Sequence, residues 1–362
     1  MRHDASVSPL RVLIADDSAL VRDVLRAMLT RDGEIEIVGE ASNGLEAVEM
    51  ARQLKPQLIT MDLTMPVMDG MRAIEEIMHT KGVPILVISD RADATTAYEA
   101  LELGALEVMP KPSLDSDDSD RLIERVKLLA GVAVITRLRR RTEALTALPV
   151  SSPSAFSASP QAHAPRSFKR VVAIACSTGG PQALVRLLSA LPASFPAPIV
   201  IAQHISHGFI GGMAQWLASL CAMPVRVAEA GEPLCPGHVY LSPSECDLTI
   251  DAHHRVALKA SPAEAIYHPS CDALLASVAE VYGRDAIGLI LTGMGRDGVS
   301  GMRAIHQAGG LTLAQDEASS VIFGMNQEAL KAGAVRHVVA LDELAERLLT
   351  TVQYGIFMEP SS

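Results

Sequence analysis

VVAIACSTGGPQALVRLL, residues 171–188, carries the reading that decides the fold of the chain's second half. Val171–Cys176 is a run of apolar and small residues with the length of one buried strand. Ser177-Thr178-Gly179-Gly180 then turns the chain, and Pro181 suits the first turn of a following helix. A strand entering a helix through a tight glycine turn is the building unit of a parallel α/β sheet. Ser177 falls at the strand's carboxyl end, beside free N–H groups that can bind an oxyanion. The pattern is close to a nucleophile elbow but is not G-x-S-x-G, because Ala175 occupies the first position. It is not a P-loop, since G-x-x-x-x-G-K-[ST] is absent. Taken alone, it also fits a passive phosphate-binding turn. Cys176 alternates to the side opposite Ser177 and has no basic flank, so it reads as a buried strand residue.

A nucleophilic serine needs a base, and the base needs an acid to orient it. His204 follows the apolar run APIVIAQ and also lies at a strand's carboxyl end. His207 makes an H-x-x-H pair with it, but the surroundings lack further metal ligands. Asp297 follows the most apolar strand, in LILTGMGRDGVSGM, among Gly293, Gly295 and Gly298, which suggest a close backbone approach. Ser177, His204 and Asp297 together form a candidate acyl-transfer site in the order Ser…His…Asp. The α/β-hydrolase order is Ser…Asp…His, so a different scaffold is expected. Strands are expected at 171–175, 198–202 and 286–291, with HVYLSP and LTIDAHHRVALK as a small antiparallel insertion.

The first half alternates in the same way. Apolar runs at 11–15, 35–38, 58–61, 83–88 and 105–109 are separated by helical patterns such as Ala19–Leu29, Gly44–Leu54 and Ala92–Leu103. A five-stranded parallel sheet with helices on both faces follows. Its strand ends carry Asp16 and Asp17, Asp62, Ser89 and Lys111. Three carboxylates in one place need a cation, and oxygen-only ligands suit Mg²⁺. With a lysine and a hydroxyl beside them, one carboxylate is set up to accept a phosphoryl group. Each residue has an ordinary reading too: Asp17 or Ser18 as a helix cap, Lys111-Pro112 as a turn. All five at successive strand ends are hard to explain that way.

The chain has 362 residues, long enough for two domains. Residues 149–165 hold four Pro and five Ser, and read as a flexible linker. A basic cluster at Arg137, Arg139, Arg140 and Arg141 precedes it, read as a solvated helix end. The domains are therefore expected at 1–130 and 168–350, with a linker over 131–167 and a tail over 351–362. A formal charge of −11 argues against a nucleic-acid partner. No apolar run approaches the ~20 residues that span a bilayer, and no signal peptide is recognised, so a cytoplasmic protein is expected. Five cysteines without C-x-x-C spacing suggest neither a disulfide framework nor a zinc knuckle.

LIADDS, MDLTMPVMDG, VIS and MPKP, in that order and spacing, resemble a two-component response-regulator receiver domain. The resemblance implies a flavodoxin-like fold with Asp62 as phospho-acceptor. It implies a Mg²⁺ site of Asp17, Asp16 acting through water, Asp62 and the carbonyl of Thr64, with Ser89 and Lys111 contacting the phosphoryl group. Val108 departs from the aromatic residue common three positions before the lysine. ACSTGGPQAL, IVIAQHISHGF, PGHVYLSP, LTGMGRDGVSGM and AQDEASSVIFGMNQEAL resemble the catalytic domain of the chemotaxis protein-glutamate methylesterases of the CheB type. That resemblance implies a Rossmann-like doubly wound domain hydrolysing glutamate methyl esters on chemoreceptors and deamidating receptor glutamines. It implies a triad of Ser177, His204 and Asp297, with Thr178 and the backbone at Met294 orienting substrate and oxyanion. No cofactor is implied for the esterase site. The implied partners are methyl-accepting chemoreceptors and a histidine kinase of the chemotaxis type, and the unphosphorylated receiver is implied to cover the catalytic site. Two rival readings are a phosphorelay module that only docks a receptor, and a serine hydrolase of small esters or peptides.

Overall fold

The computed structural model describes residues 8–80, 82–90, 94–112, 116–132, 168–262, 267–355 and 357. The expected linker over 131–167, with its arginine cluster, lies almost wholly outside them.

The first sheet contains β1 (Leu10–Ala15), β2 (Ile35–Ala41), β3 (Leu58–Met61), β4 (Ile85–Ser89) and β5 (Glu107–Pro110). They lie in the order β2-β1-β3-β4-β5, and every pairing is parallel. Five helices connect and follow them: α1 (Ala19–Leu29), α2 (Gly44–Leu54), α3 (Gly70–Thr80), α4 (Ala94–Leu103) and α5 (Ser116–Ala130). Alternate residues of β1, such as Leu13 and Ile14, enter two different buried clusters, so both faces of the sheet are covered. Ser18 caps α1 and Asn43 caps α2, each accepting a main-chain N–H, which contributes about 1 kcal/mol per helix. Ser18 therefore takes the capping role, while Asp17 is exposed at the carboxyl edge of the sheet.

The second sheet has seven strands: β6 (Val171–Cys176), β7 (Ile199–Gln203), β8 (Val225–Val227), β9 (Val239–Leu241), β12 (Ala286–Ile290), β13 (Leu311–Gln315) and β14 (His337–Val339). Their order is β14-β13-β12-β6-β7-β9-β8, all parallel. Its helices are α6 (Gly180–Ser189), α7 (Ile210–Leu220), α8 (Cys271–Tyr282), α9 (Val299–Gln307), α10 (Met325–Lys331) and α11 (Leu341–Tyr354). The chain moves outward from β6 on one side and from β12 on the other, so the strand order reverses between these two. Crevices at such switch points are where open α/β sheets place their sites.

Two expectations are corrected. HVYLSP contributes β9, which is a parallel strand of the main sheet, with Val239, Tyr240 and Leu241 all buried. Only β10 (Cys246–Ile250) and β11 (Val256–Ala260) form the antiparallel insertion. At the other end, α11 continues past residue 350 and buries Thr351 and Val352, so the tail begins later than expected.

The two halves pack together. Tyr98 of α4 stacks on Trp216 of α7 with ring centroids 5.6 Å apart, and Trp216 Nε1 donates to Glu102 Oε1 at 2.7 Å. Thr95 Oγ1 donates to Gln215 Oε1, and Gln182 Nε2 donates to the carbonyls of Ala105 and Leu106. One buried apolar cluster contains Tyr98 and Leu101 from the first half and Met213 and Trp216 from the second.

Candidate active site

The register of β6 against β7 builds the site. Cys176 is paired with Gln203, so the next residues, Ser177 and His204, leave the sheet side by side. His204 N donates to the carbonyl of Cys176 at 3.0 Å, and Ser177 N to that of Thr292 at 3.1 Å. The loop after β12 is drawn close as its glycines suggested: a Cβ on Gly293 would stand 2.7 Å from the Ser177 Cβ. That loop delivers Asp297 to the histidine.

His204 Nε2 lies 2.7 Å from Asp297 Oδ2. The carboxylate is held from behind by the start of α8. Cys271 N donates to Oδ2 at 2.7 Å, and Asp272 N to Oδ1 at 2.9 Å. Ser270, the cap of α8, adds its hydroxyl to Oδ1 at 3.3 Å. Burial alone would push the Asp297 carboxyl up. The His204 hydrogen bond and charge, with the two main-chain donors, more than offset that and hold it below the usual carboxylate range. An ionised Asp297 fixes the imidazole so that Nε2 carries the proton, leaving Nδ1 as the acceptor nitrogen. Nδ1 is buried and has no hydrogen-bond partner among the described residues. This is the opposite use of the two nitrogens from the Ser-His-Asp arrangement of chymotrypsin, but it satisfies the same requirement. Tyr267 stacks on the His204 ring at 4.9 Å.

Ser177 is 2% exposed and faces the same cavity as His204. The N–H groups of Thr178 and Met294 carry no hydrogen bond to any described residue. Thr292 Oγ1 braces the turn by donating to the Thr178 carbonyl at 2.9 Å. Cys176 is fully buried, and burial pushes its thiol up. Cys271 Sγ comes within 3.4 Å of His204 Nε2, but burial, reinforced by the charge of Asp297, raises that thiol well above its ordinary value. Burial thus favours the protonated form of both thiols.

A cavity of about 820 Å³ runs from Ser177 and His204 to Ser89 and Lys111 of the first half. From that side, Arg125 of α5 donates to the Thr178 hydroxyl through Nη1 at 2.6 Å. Its Nε lies 3.4 Å from Glu107 Oε1 on β5. The Thr178 side chain, next to Ser177, is thus already engaged by the other half of the molecule.

At the first sheet's carboxyl edge, Lys111 Nζ lies 3.0 Å from Asp62 Oδ2 and 3.1 Å from Asp16 Oδ2. Burial raises the Asp62 carboxyl, and Asp16 adds to that, against the opposing pull of Lys111. Burial works against the Lys111 charge, yet the two carboxylates hold its ammonium above the ordinary value. Ser89 is buried at the end of β4, and Thr64 is exposed in the loop after β3. Carboxylate oxygens of Asp16, Asp17 and Asp62 all lie within 4.8 Å of one another. Asp16 Oδ2 is buried, and the Lys111 ammonium is its one polar partner among the described residues. Three carboxylates converging on one place, with a single lysine to balance them, are an all-oxygen set that fits a hard divalent cation.

The chain matches the CheB methylesterase family over residues 172–348 and the response regulator receiver domain over residues 12–127. A protein-glutamate methylesterase/protein-glutamine glutaminase of Paramagnetospirillum magneticum is 51% identical over 343 residues, covering 94% of this chain and 95% of its own. The chain belongs to the CheB methylesterase family. A Myxococcus xanthus relative of the same description is 46% identical, covering 94% of this chain and 96% of its own. The Thermotoga maritima CheB methylesterase catalytic domain of known structure is 35% identical, with 51% of this chain and 98% of that one covered and a TM-score of 0.49. As a CheB methylesterase the chain is a hydrolase joined to a two-component receiver, which sets aside the docking-only reading.

Several residues of this CheB-family site had no local signal. Ser270, Cys271 and Asp272 act on Asp297 mainly through main-chain N–H groups, which no motif reveals. Arg125 acts across the two halves. Gln203 has no motif of its own, and its place directly before His204 at the end of β7 is the one signal the sequence offers for it.

Proposed function

We propose that this chain hydrolyses methyl esters of glutamate side chains on chemoreceptors and deamidates receptor glutamines at the same site. The Ser177 hydroxyl attacks the ester carbonyl while His204 Nδ1 takes its proton. Asp297 stabilises the imidazolium that forms, and the N–H groups of Thr178 and Met294 receive the oxyanion. As the tetrahedral intermediate collapses, His204 returns the proton to the departing methanol. A water molecule, deprotonated by the same nitrogen, then releases the glutamate and restores Ser177. The residues that perform these steps need no cofactor. The observation that carries this reading is the pairing of Ser177 and His204 at adjacent strand ends, with His204 fixed on a carboxylate held by three donors from the start of α8.

In the receiver, Asp62 accepts a phosphoryl group from a chemotaxis-type histidine kinase, with Ser89 and Lys111 contacting its oxygens. Asp16, Asp17, Asp62 and the Thr64 carbonyl would hold Mg²⁺, which neutralises phosphoryl and carboxylate charge when bound. The unphosphorylated receiver covers the esterase cavity, and phosphorylation releases the cover. We take the receiver as residues 1–130 and the catalytic domain as 168 to about 354, joined by the Pro/Ser-rich stretch between them, working in the cytoplasm. No helix among the described residues is long and apolar enough to cross a membrane. Methanol release from methylated receptor membranes tests the reading: the chain should release it, and faster with a small-molecule phosphodonor. Absence of release in both conditions would overturn it.

A further inference from the structure

Gln203 is the last residue of β7 and is 4% exposed. Its amide nitrogen uses both hydrogens on the two halves of the reacting pair. Nε2 donates to the Ser177 carbonyl at 2.9 Å and to the His204 carbonyl at 2.8 Å. Because both acceptors are carbonyls, the amide has one orientation here, with Oε1 turned away. Oε1 accepts no hydrogen bond from any described residue. It packs against α6, where a Cβ on Gly180 would stand only 2.0 Å from it. The amide is therefore wedged between the start of α6 and the two strand ends. The Ser177 carbonyl also accepts from Gly180 N at 2.8 Å, so the turn that exposes the nucleophile is tied both to its own helix and to the base's strand.

We propose that Gln203 is a positioning residue for the hydrolysis: it sets the distance and facing of Ser177 and His204 through their own main chains. The inference rests on the assignment of those two residues as nucleophile and base. Strand pairing alone ends at Cys176–Gln203, one residue short of both. Beyond that point one ladder bond remains, from His204 N to the Cys176 carbonyl at 3.0 Å, and the Ser177 main chain is not tied to β7 by strand pairing. One planar amide spanning both carbonyls restores the constraint where proton transfer needs it. A displacement of ~1 Å between reacting groups can cost about 100-fold in rate while leaving binding unchanged.

Two variants test this, with Ser177→Ala as the reference for the underlying assignment. Gln203→Met keeps the length of the side chain and removes both donors. Its kcat on methylated receptor should fall about 10- to 100-fold with KM within twofold. The rate at which a phosphonate probe labels Ser177 should fall by the same factor in protein that remains folded. Gln203→Glu keeps the shape but donates at most one hydrogen bond, and only while its carboxyl is protonated. Buried carboxyls titrate as high as ~8–9, so the ratio of its kcat to the wild-type value should drop as pH rises from about 5 to 8. Each kcat is taken per mole of active sites titrated with the probe. A merely structural role, which changes only the folded fraction as the buried carboxyl ionises, would therefore leave the ratio flat. A Gln203→Met kcat within twofold of wild type, or a pH-independent ratio for Gln203→Glu, would overturn the proposal. Activity retained by Ser177→Ala would instead overturn the assignment beneath it.

Discussion

Replacing Arg125 with alanine should turn the unphosphorylated protein on. The Arg125 guanidinium holds the Thr178 hydroxyl at 2.6 Å and lies 3.4 Å from the Glu107 carboxylate. A hydrogen bond from a charged donor contributes about 1.5–3 kcal/mol. Arg125 is 26% exposed, so the lower end applies, and about 1.4 kcal/mol is tenfold in an equilibrium. The Tyr98–Trp216 stack, the Trp216–Glu102 hydrogen bond and the Gln182 contacts all remain, so the cover is weakened rather than lost. Methanol release by unphosphorylated Arg125→Ala should therefore rise up to about tenfold. The stimulation brought by a phosphodonor should shrink by the same factor, with the phosphorylated rate unchanged. Arg125 touches Thr178 only from the receiver, so a catalytic fragment beginning near Phe168 should behave like the freed enzyme. An unphosphorylated Arg125→Ala rate equal to wild type would show that this contact does not gate the site. A fall in the phosphorylated rate would show that Arg125 assists the chemistry instead.

A small phosphodonor with Mg²⁺ should label one residue, and Asp62→Asn should abolish the label. Mg²⁺ alone should raise the Tm of the receiver, because a cation relieves the three clustered carboxylates, and Asp62→Asn should blunt that rise. Asp297→Asn should lower kcat by at least about 100-fold, less than His204→Ala. The depressed Asp297 carboxyl also gives a sign for acid stability. Its contribution is full above the unfolded carboxylate value of ~3.9 and is lost as pH falls through the lower folded one. Below pH ~4, then, wild type should lose more Tm than Asp297→Asn does. The fragment from about Phe168 should outpace unphosphorylated full-length protein and ignore phosphodonor, and Ser89→Ala should blunt activation more than Val108→Ala. A fragment no faster than the unphosphorylated full-length protein would move the receiver's role to receptor docking.

Ser177, His204 and Asp297 were legible because each follows an apolar strand of the parallel sheet, and such sheets collect their chemistry at carboxyl ends. Asp16, Asp17, Asp62, Ser89 and Lys111 were legible for the same reason in the first half. β9 was misread because alternation over only three residues does not separate a half-exposed hairpin strand from an interior one. The neighbours that decide it, β7 and β8, are brought together only by folding. The use of His204 Nε2 rather than Nδ1 depends on where α8 presents its first N–H groups, which no spacing of side chains encodes. The Arg125–Thr178 and Tyr98–Trp216 contacts pair residues far apart in the chain, and their partners exist only once the two domains have docked.

The central claim is that Ser177 carries the acyl group between ester and water. Methylated receptor fragment, mixed with phosphorylated protein and quenched in acid within the first turnover, would be followed by mass spectrometry of the digested enzyme. The account predicts a receptor peptide esterified through its glutamate to Ser177, formed with a burst of methanol. Neither adduct nor burst should occur in Ser177→Ala, nor, within the first wild-type turnover, in His204→Ala, where the serine lacks its base. Methanol release by Ser177→Ala at more than a tenth of the wild-type rate, or an adduct on any other residue, would contradict it.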